Sequence, residues 1–144
     1  MHTLKVKLNH KDAKIPTKAH PTDAGWDLYS IRDVHFYYRG QIEIVDTGIS
    51  IELPKGTEAQ VRPRSGLSFK HGIGLINAPG TIDQAYRGNC KVALIFHGDN
   101  DYTINKGDRI AQMVIQKVLP IQIQEVDELS DTDRGTGGFG SSGR

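Results

Sequence analysis

Regularly spaced glycines between short β-type segments constrain the fold of this chain most. Gly40, Gly48, Gly56 and Gly66 follow one another at intervals of eight to ten residues. Segments with β-type patterns lie between these and later turn residues, at 4–8, 42–44, 49–53, 92–96, 109–115 and 121–123. Short strands at this spacing are typical of antiparallel sandwiches, jelly rolls and barrels. The sequence therefore predicts an all-β fold.

Two details refine this expectation. Segments 92–96 and 113–115 are apolar at every position, so we expect both faces of these strands to be buried. No long stretch has the 3.6-residue period of an amphipathic helix. The one helical candidate is the short segment 65–71, for which Ser65 is the predicted N-cap.

Composition fits one domain and narrows the classes of function. The chain has 144 residues, 37% hydrophobic and 24% charged, which is enough to form a packed core. A net charge of +1 argues against a protein that coats nucleic acid or anionic membranes. Cys90 is the single cysteine, which excludes an intrachain disulfide and favours a reducing, cytoplasmic location. The sequence shows no membrane-spanning apolar run and no signal-peptide pattern.

The end of the chain is unusually rich in glycine. Five of its 16 glycines are Gly135, Gly137, Gly138, Gly140 and Gly143. This composition is compatible with a disordered terminus or a linker. The alternative is a mobile arm that orders over a ligand. Glycine N–H groups reach phosphates, while Arg134 supplies charge and Phe139 supplies a ring for stacking.

The segment 62–66 is the best candidate for an anion site. Arg62 and Arg64 supply guanidinium groups, Ser65 supplies a hydroxyl, and a helix start supplies free N–H groups. The alternative is a charged turn with a helix cap.

The segment 77–88 contains a candidate general base. Asp83 follows Ile82 among turn residues, and a carboxylate beside a buried apolar side chain is suited to deprotonating water. The alternatives are an Asx-turn role for Asp83 and a core or rim position for Tyr86.

Other positions suggest metal or hydrogen-bond partners. Asp27, after Gly25, is a candidate for holding hydrated Mg²⁺, the alternative being a solvated loop before a strand. Gln112 interrupts an apolar segment, which indicates a specific hydrogen-bond partner. The six histidines lack metal-ligand spacing, and neither P-loop, dinucleotide-binding nor G-x-S-x-G motifs occur.

In order, five segments resemble the five motifs of the trimeric dUTPases (deoxyuridine triphosphate nucleotidohydrolases). They are 24–28, 63–67, 80–88, 107–112 and 134–143. The resemblance implies a single-domain, jelly-roll-like β-barrel over residues 1–133 with one short helix. A flexible Gly-rich arm at 134–144 would close over an active site. It also implies a homotrimer whose active sites are shared between subunits, with no nucleic-acid or membrane partner.

The resemblance further implies the reaction and its cofactor. Water would attack the α-phosphorus of dUTP and give dUMP and pyrophosphate, which lowers dUTP and supplies dUMP for dTMP synthesis. Asp83 would be the catalytic base, and Asp27 would reach Mg²⁺ through water. Trp26 and the pair Asn89-Cys90 depart from the residues usual in that family, where an acidic residue often follows Arg-Gly; neither position is assigned to catalysis, so we expect the departures to concern local packing.

Substrate contacts follow from the same motifs. Uracil would be read by Asn77 and by the backbone of the hairpin that includes Gly80 and Ile82, with Tyr86 packed under the deoxyribose. The phosphates would be held by Arg64, Ser65, Gly66 and Gln112. In the arm, Phe139 would stack on uracil while Arg134 and glycines such as Gly140 clamp the β- and γ-phosphates.

Two other functions are compatible with this fold. A dCTP deaminase needs a Glu near C4 of the base, yet none occurs between Glu58 and Glu125. A non-catalytic trimeric binding protein is expected to have lost the base or the arm, whereas Asp83, Arg134 and Phe139 are all present. Both comparisons favour dUTP hydrolysis.

Overall fold

The computed structural model describes residues 1–143, in which eleven strands and one short helix form the secondary structure. In chain order they are β1 (Lys5–Leu8), β2 (Trp26–Tyr29), β3 (Val34–Phe36), β4 (Ile42–Asp46), β5 (Ile49–Glu52), β6 (Thr57–Arg62), α1 (Ser65–His71), β7 (Ile73–Leu75), β8 (Gly80–Ile82), β9 (Lys91–Phe96), β10 (Tyr102–Ile104) and β11 (Arg109–Lys117). The predicted mostly-β class with one short helix is confirmed.

A four-stranded antiparallel sheet in the order β2–β11–β6–β8 positions four of the five motif segments. Gln112 on the long central strand β11 lies opposite Asp27 on β2 and opposite Arg62 on β6. On the other side of β6, Val61 lies opposite Gly80 of β8. Antiparallel pairing therefore brings together residues that are up to 87 positions apart in sequence, as Met113 is from Trp26 (113 minus 26).

The remaining strands form three smaller antiparallel sheets. These are β4–β9–β7, β1–β5 and β10–β3. The strand pairings of the described residues therefore form four separate sheets and do not close into a continuous ring. A jelly-roll arrangement needs no such ring.

Alternating side chains build the core between these sheets. In β6, Thr57, Ala59 and Val61 are buried while the intervening polar residues are half-buried, which is the two-residue period of a strand. The largest fully buried side chains include Phe36, Phe96, Leu28, Leu94 and Met113. The rings of Phe36 and Phe96 are tilted with centroids 5.3 Å apart, so one core joins β3 to β9.

Some expectations about individual segments were wrong. Strand β9 buries Val92, Leu94 and Phe96, but Ala93 and Ile95 on its other face are only half-buried. Segment 121–123 forms no strand, because no strand within the described chain pairs with it. The helix begins at Ser65 as expected, yet its N-cap is Arg64 in an extended conformation, without a side-chain cap.

After β11 the chain leaves the sheets. Residues 116–136 are exposed, including Leu119, Ile121 and Ile123. The hydrogen bond from Val118 N–H to the Gly56 carbonyl is the last that joins this segment to the sheets within residues 1–143. No described helix is long and apolar enough to span a membrane.

Candidate active site

A cleft of about 300 Å³ lies where β2, β11 and the start of α1 meet. It brings together five of the residues predicted to bind phosphate or metal, namely Asp27, Arg64, Ser65, Gly66 and Gln112. Strand register explains this grouping. Gln112 on β11 lies opposite Asp27 on β2 and opposite Arg62 at the end of β6, and residues 63–66 follow β6 directly.

An ion pair fixes the arginine of this cleft. Arg64 donates from Nε to Oδ1 of Asp27 at 2.8 Å, with side chains 25% and 13% exposed. Arg109 approaches Oδ2 of the same carboxylate at 3.5 Å and is more exposed. Of the three guanidinium nitrogens of Arg64, only Nε has a hydrogen-bond partner among the described residues. The two terminal Nη groups therefore remain available to an anion. Sequence reasoning missed Arg109, because its nearness to Asp27 depends on the register of β2 and β11.

The partner predicted for Gln112 is a backbone carbonyl. Gln112 Nε2 donates to the Pro63 oxygen at 2.9 Å, which ties β11 to the chain just before α1. A Cβ atom at Gly25 would lie 2.3 Å from Gln112 Oε1, so glycine is required there for the amide to occupy its place. Gly66 differs, because a Cβ atom there would have no neighbour within 4 Å.

The start of α1 presents free donors to the same cleft. Arg64 is extended and the helix runs from Ser65 to His71, so the N–H groups of the first turn have no helical acceptor. Ser65 and Gly66 are exposed at this end. Together with the Arg64 guanidinium, these donors suit a phosphate group.

The cleft offers few metal ligands of its own. Asp27 and Asp23 line it, and the described residues contain no group of three His, Cys, Asp or Glu side chains placed to hold an ion. Mg²⁺ keeps several waters and is bound through one or two carboxylates plus substrate phosphates. The donor set therefore fits an ion that arrives with a triphosphate and does not fit a permanent protein cage.

A second, smaller cleft of about 200 Å³ contains the predicted base. It is lined by residues that include Ile82, Asp83, Tyr86 and Cys90. The Asp83 carboxylate is exposed and makes no hydrogen bond or ion pair within residues 1–143, so both of its oxygens are open to solvent. Burial, helped by the charge of Asp46, raises the pKa of the Cys90 thiol to about 11, which keeps this neighbour neutral.

The turn that carries Asp83 is braced from two sides. Arg87 donates from Nη1 to the Gln84 carbonyl at 2.7 Å, and Gln84 Oε1 accepts from the Gly56 N–H at 2.7 Å. Tyr86 N–H closes the turn on the Asp83 carbonyl at 3.1 Å. These bonds hold the turn while leaving the Asp83 carboxylate exposed.

The predicted uracil-reading residues extend from Asn77, which precedes β8, to Ile82 at the end of that strand. Asn77, Gly80 and Ile82 line a small pocket of about 60 Å³. A Cβ atom at Gly80 would lie 3.3 Å from Val61 Cβ and 3.4 Å from Asn77 Nδ2. Gly80 therefore keeps β8 close to β6 and leaves room for the Asn77 amide.

The two clefts are well separated within one chain. Asp27 is on β2 and Asp83 follows β8, and these strands are the two edges of the four-stranded sheet. Three strand spacings amount to about 14 Å. The structure thus groups five of the residues predicted to bind phosphate or metal in one cleft, and the predicted base with Tyr86 in another.

Arg134, Phe139 and Gly140 of the C-terminal arm lie away from both clefts. Phe139 is fully exposed, and a Cβ atom at Gly140 would have no neighbour within 4 Å. Arg134 Nε donates to the Gly137 carbonyl at 2.9 Å, within the arm itself. The last residue of the predicted arm, Arg144, lies outside the described residues.

A larger cleft of about 450 Å³ lies beside β1 and β5. Its carboxylate, Glu52, is paired with Lys5 at 2.7 Å, and the Lys5 ammonium holds the pKa of Glu52 below its usual range. A paired carboxylate is a poor base, and this cleft contains none of the predicted site residues. Size alone therefore does not identify the active site.

Comparison with known proteins shows which family the chain belongs to. The sequence family described as dUTPase matches residues 11–143. The chain belongs to the dUTPase family. A protein named deoxyuridine 5'-triphosphate nucleotidohydrolase from Clostridioides difficile is 54% identical over 99% of both chains. A relative of the same name from Clostridium tetani is 51% identical over 99% of this chain and 98% of its own.

Solved dUTPase structures have the same fold. The Staphylococcus bacteriophage 80alpha dUTPase with dUPNHPP superposes with a TM-score of 0.90 at 30% identity, covering 100% of both chains. A mutant dUTPase from phage phi11 of S. aureus, described with a structural Mg(II) ion, gives a TM-score of 0.80 at 25% identity, covering 90% of this chain and 99% of its own. The predicted jelly-roll fold is confirmed, while a closed barrel is not shown.

Proposed function

We propose that this member of the dUTPase family hydrolyses dUTP to dUMP and pyrophosphate. The observation that carries the proposal is the cleft in which Asp27 orients Arg64 beside Gln112 and the start of α1. On the same sheet, β8 leads into the exposed Asp83. Relatives more than 50% identical over nearly their whole length carry the name of this activity.

The first cleft binds the triphosphate. Arg64 is held by Asp27, so its free Nη groups meet the phosphate oxygens without first having to be ordered. The N–H groups at Ser65 and Gly66 and the amide of Gln112 add neutral donors. Phosphoryl transfer depends mainly on such positioning and charge stabilisation.

Asp83 activates the water. Its carboxylate takes a proton as the water oxygen bonds to the α-phosphorus, and the bond to the bridging oxygen of the β-phosphate breaks. The electron pair of that bond leaves with pyrophosphate, and dUMP carries the new oxygen. Tyr86 lies beside Asp83 and packs under the deoxyribose, while Asn77, Gly80 and Ile82 receive the uracil.

Mg²⁺ is the proposed cofactor, and it would supply charge neutralisation for the substrate phosphates. Asp27 would help to hold the ion through water, since Arg64 and Arg109 contact its carboxylate without occupying all of its lone pairs. The mutant phi11 phage enzyme, described with a Mg(II) ion, supports a divalent metal in this family.

A homotrimer with shared active sites is the proposed assembly. The two clefts lie at opposite edges of one sheet, so complementary clefts of neighbouring subunits complete one site. Ile42, Ile44 and Ile76 are about half exposed beside Ala93 and Ile95, which leaves an apolar face on the sheet β4–β9–β7. Such a patch supports a protein interface.

The segment after β11 supports the same assembly. Residues 118–133 leave the sheets with their apolar side chains exposed, and the described part of the arm that follows, residues 134–143, reaches neither cleft of its own chain. We propose that the arm closes over the active site of a neighbour. A cytoplasmic location is proposed because Cys90, the single cysteine, is free and buried, and no disulfide holds the fold together.

Substrate specificity tests this proposal. Pyrophosphate release is measured with dUTP, dCTP, dTTP and UTP, with and without Mg²⁺. Rapid release from dUTP alone, dependent on Mg²⁺, is the expected result. No turnover of dUTP by the wild-type chain contradicts the proposal. Ammonia released from dCTP at a comparable rate would instead establish the deaminase.

A further inference from the structure

The ring of Tyr86 rests in a cradle made by the two residues that follow Arg87. Tyr86 Oη donates to the main-chain oxygen of Asn89 at 3.0 Å. A Cβ atom at Gly88 would lie 2.4 Å from Tyr86 Oη and 2.6 Å from its Cζ. The ring therefore lies directly against the Gly88 backbone. A shift of residues 88–89 would move the ring with them.

Asn89 is in turn held by two side chains from distant parts of the sequence. Its Nδ2 donates to Asp46 Oδ2 at 2.9 Å, and its Oδ1 accepts from Asn9 Nδ2 at 2.7 Å. Asp46 is itself fixed, because its Oδ1 accepts from the Gly48 N–H at 2.7 Å. Asn9 is tied to the same turn by its N–H, which donates to the Gly48 carbonyl at 2.8 Å.

These contacts require a side chain at position 89 that both donates and accepts, and the Asn89 amide does so. Asp46 needs a donor and Asn9 offers one, so only a side chain with both a donor and an acceptor satisfies the two neighbours. A carboxylate at position 89 would face the Asp46 carboxylate. An apolar side chain would leave both partners without their hydrogen bonds.

We propose that Asn89, clamped by Asp46 and Asn9, is a positioning residue that determines sugar selectivity by fixing the ring of Tyr86. The proposal rests on the role of Tyr86 given under Proposed function, where the ring packs under the deoxyribose. Steric exclusion of a 2′-hydroxyl requires that the Tyr86 ring keep its position when the sugar contacts it. Steric discrimination of this kind is worth about 10- to 100-fold, and it is lost when the ring moves by the width of one oxygen atom.

Nucleotide selectivity of matched variants tests the proposal. kcat/KM is measured for dUTP and UTP with the wild type, Asn89→Ala, Asp46→Ala and Tyr86→Phe, the last of which keeps the ring but loses its anchoring hydroxyl. Asn100→Ala removes an exposed amide far from this network and serves as the control. We expect the dUTP/UTP ratio to fall about tenfold in the first three variants and to stay at the wild-type value in the control.

The direction of the change separates positioning from simple damage. A damaged protein loses activity toward both nucleotides, whereas a loosened ring raises kcat/KM for UTP. The double variant Asn89→Ala/Tyr86→Phe is expected to match the single variants, because both changes release the same ring. An unaltered ratio in Asn89→Ala and Tyr86→Phe overturns the proposal, as does equal loss toward both nucleotides.

A binding measurement keeps this inference separate from the proposed activity. Calorimetry with dUpNHpp and its ribose counterpart gives the same selectivity without turnover. If the wild type fails to hydrolyse dUTP, the proposed function is wrong, and the binding ratio still decides whether Asn89 acts through Tyr86. If Asn89→Ala does not fold, Tyr86→Phe, whose ring is about half exposed, decides the question.

Discussion

Replacing Gly25 by alanine would put a methyl group into space that Gln112 occupies. The new Cβ would lie 2.3 Å from Gln112 Oε1 and 3.1 Å from Gln112 Cβ. An ordinary contact requires the amide to withdraw by about 1 Å, which strains the hydrogen bond of 2.9 Å from Gln112 Nε2 to the Pro63 carbonyl. The substitution therefore disturbs the contact between Gln112 and Pro63 beside the cleft that contains Asp27 and Arg64.

The expected loss of stability follows from these contacts. Weakening the Gln112 hydrogen bond costs about 1 kcal/mol, and overpacking adds about 1–3 kcal/mol. Alanine also restricts the unfolded chain, which offsets about 0.4–1 kcal/mol. The net loss is about 2 kcal/mol, or a decrease in Tm of about 4–8 °C for a domain of this size. A displaced Gln112 amide is expected to lower kcat/KM for dUTP about 100-fold.

Calorimetry at fixed protein concentration and a pyrophosphate assay measure the two effects. Gly66→Ala is the control for stability, because its Cβ would meet nothing within 4 Å and alanine favours the helix by up to about 1 kcal/mol. We expect its Tm to equal or exceed that of the wild type. If Gly25→Ala melts with the wild type and keeps its kcat/KM, the packing of Gly25 on Gln112 has been misread.

Three further predictions address the base, the arm and the buried thiol. Asp83→Asn should lower kcat about 10³-fold while dUpNHpp still binds, since only the proton acceptor is lost; an unchanged kcat removes Asp83 from that role. Deleting residues 134–144 should cost about two orders of magnitude in kcat/KM with little change in Tm, because the arm makes no described hydrogen bond to the sheets; full activity of the truncated chain refutes closure by the arm. The folded Cys90 thiol stays protonated until a pH of about 11, whereas the unfolded thiol ionises near 9, so the free energy of unfolding should fall across this window by about 2–3 kcal/mol more than in Cys90→Ala. Denaturation curves measure the free energy of unfolding of both proteins at pH 9 and pH 11. An equal decrease in the wild type and in Cys90→Ala would contradict the burial of this thiol.

Local pattern predicted half of the twelve elements that the described residues form, namely β1, β4, β5, β9, β11 and α1. Strands β4, β5, β9 and β11 fall within a residue or two of the segments chosen from alternation and apolar runs, and α1 matches residue for residue. Their side chains meet partners in the same chain, so the sequence period and the observed burial agree. Strands β2, β3, β6, β7, β8 and β10 were not among the segments chosen from pattern, and five of these six have only three or four residues, too few for a clear alternation. Segment 121–123 was predicted to be a strand and forms none, and the second face of β9 is half-buried where burial was expected.

The site was harder to predict than the fold. Residue types selected Arg64, Asp27 and Gln112 as candidates, and the structure places all three in one cleft. They did not predict that Asp27 pairs with Arg64 or that Gln112 binds the Pro63 carbonyl. These contacts depend on the registers of β2, β11 and β6, which alternation along a single strand does not specify. The cradle of Tyr86 is a further case, because it joins Asn89 to Asp46 and Asn9 across the fold.

The fate of the attacking oxygen tests the central claim most directly. The wild-type protein is incubated with dUTP and Mg²⁺ in water enriched in ¹⁸O, and ³¹P NMR follows the products. The account predicts dUMP and pyrophosphate, with the isotope shift on the dUMP signal alone, since water attacks the α-phosphorus. Label in pyrophosphate, or release of orthophosphate with dUDP, would contradict it.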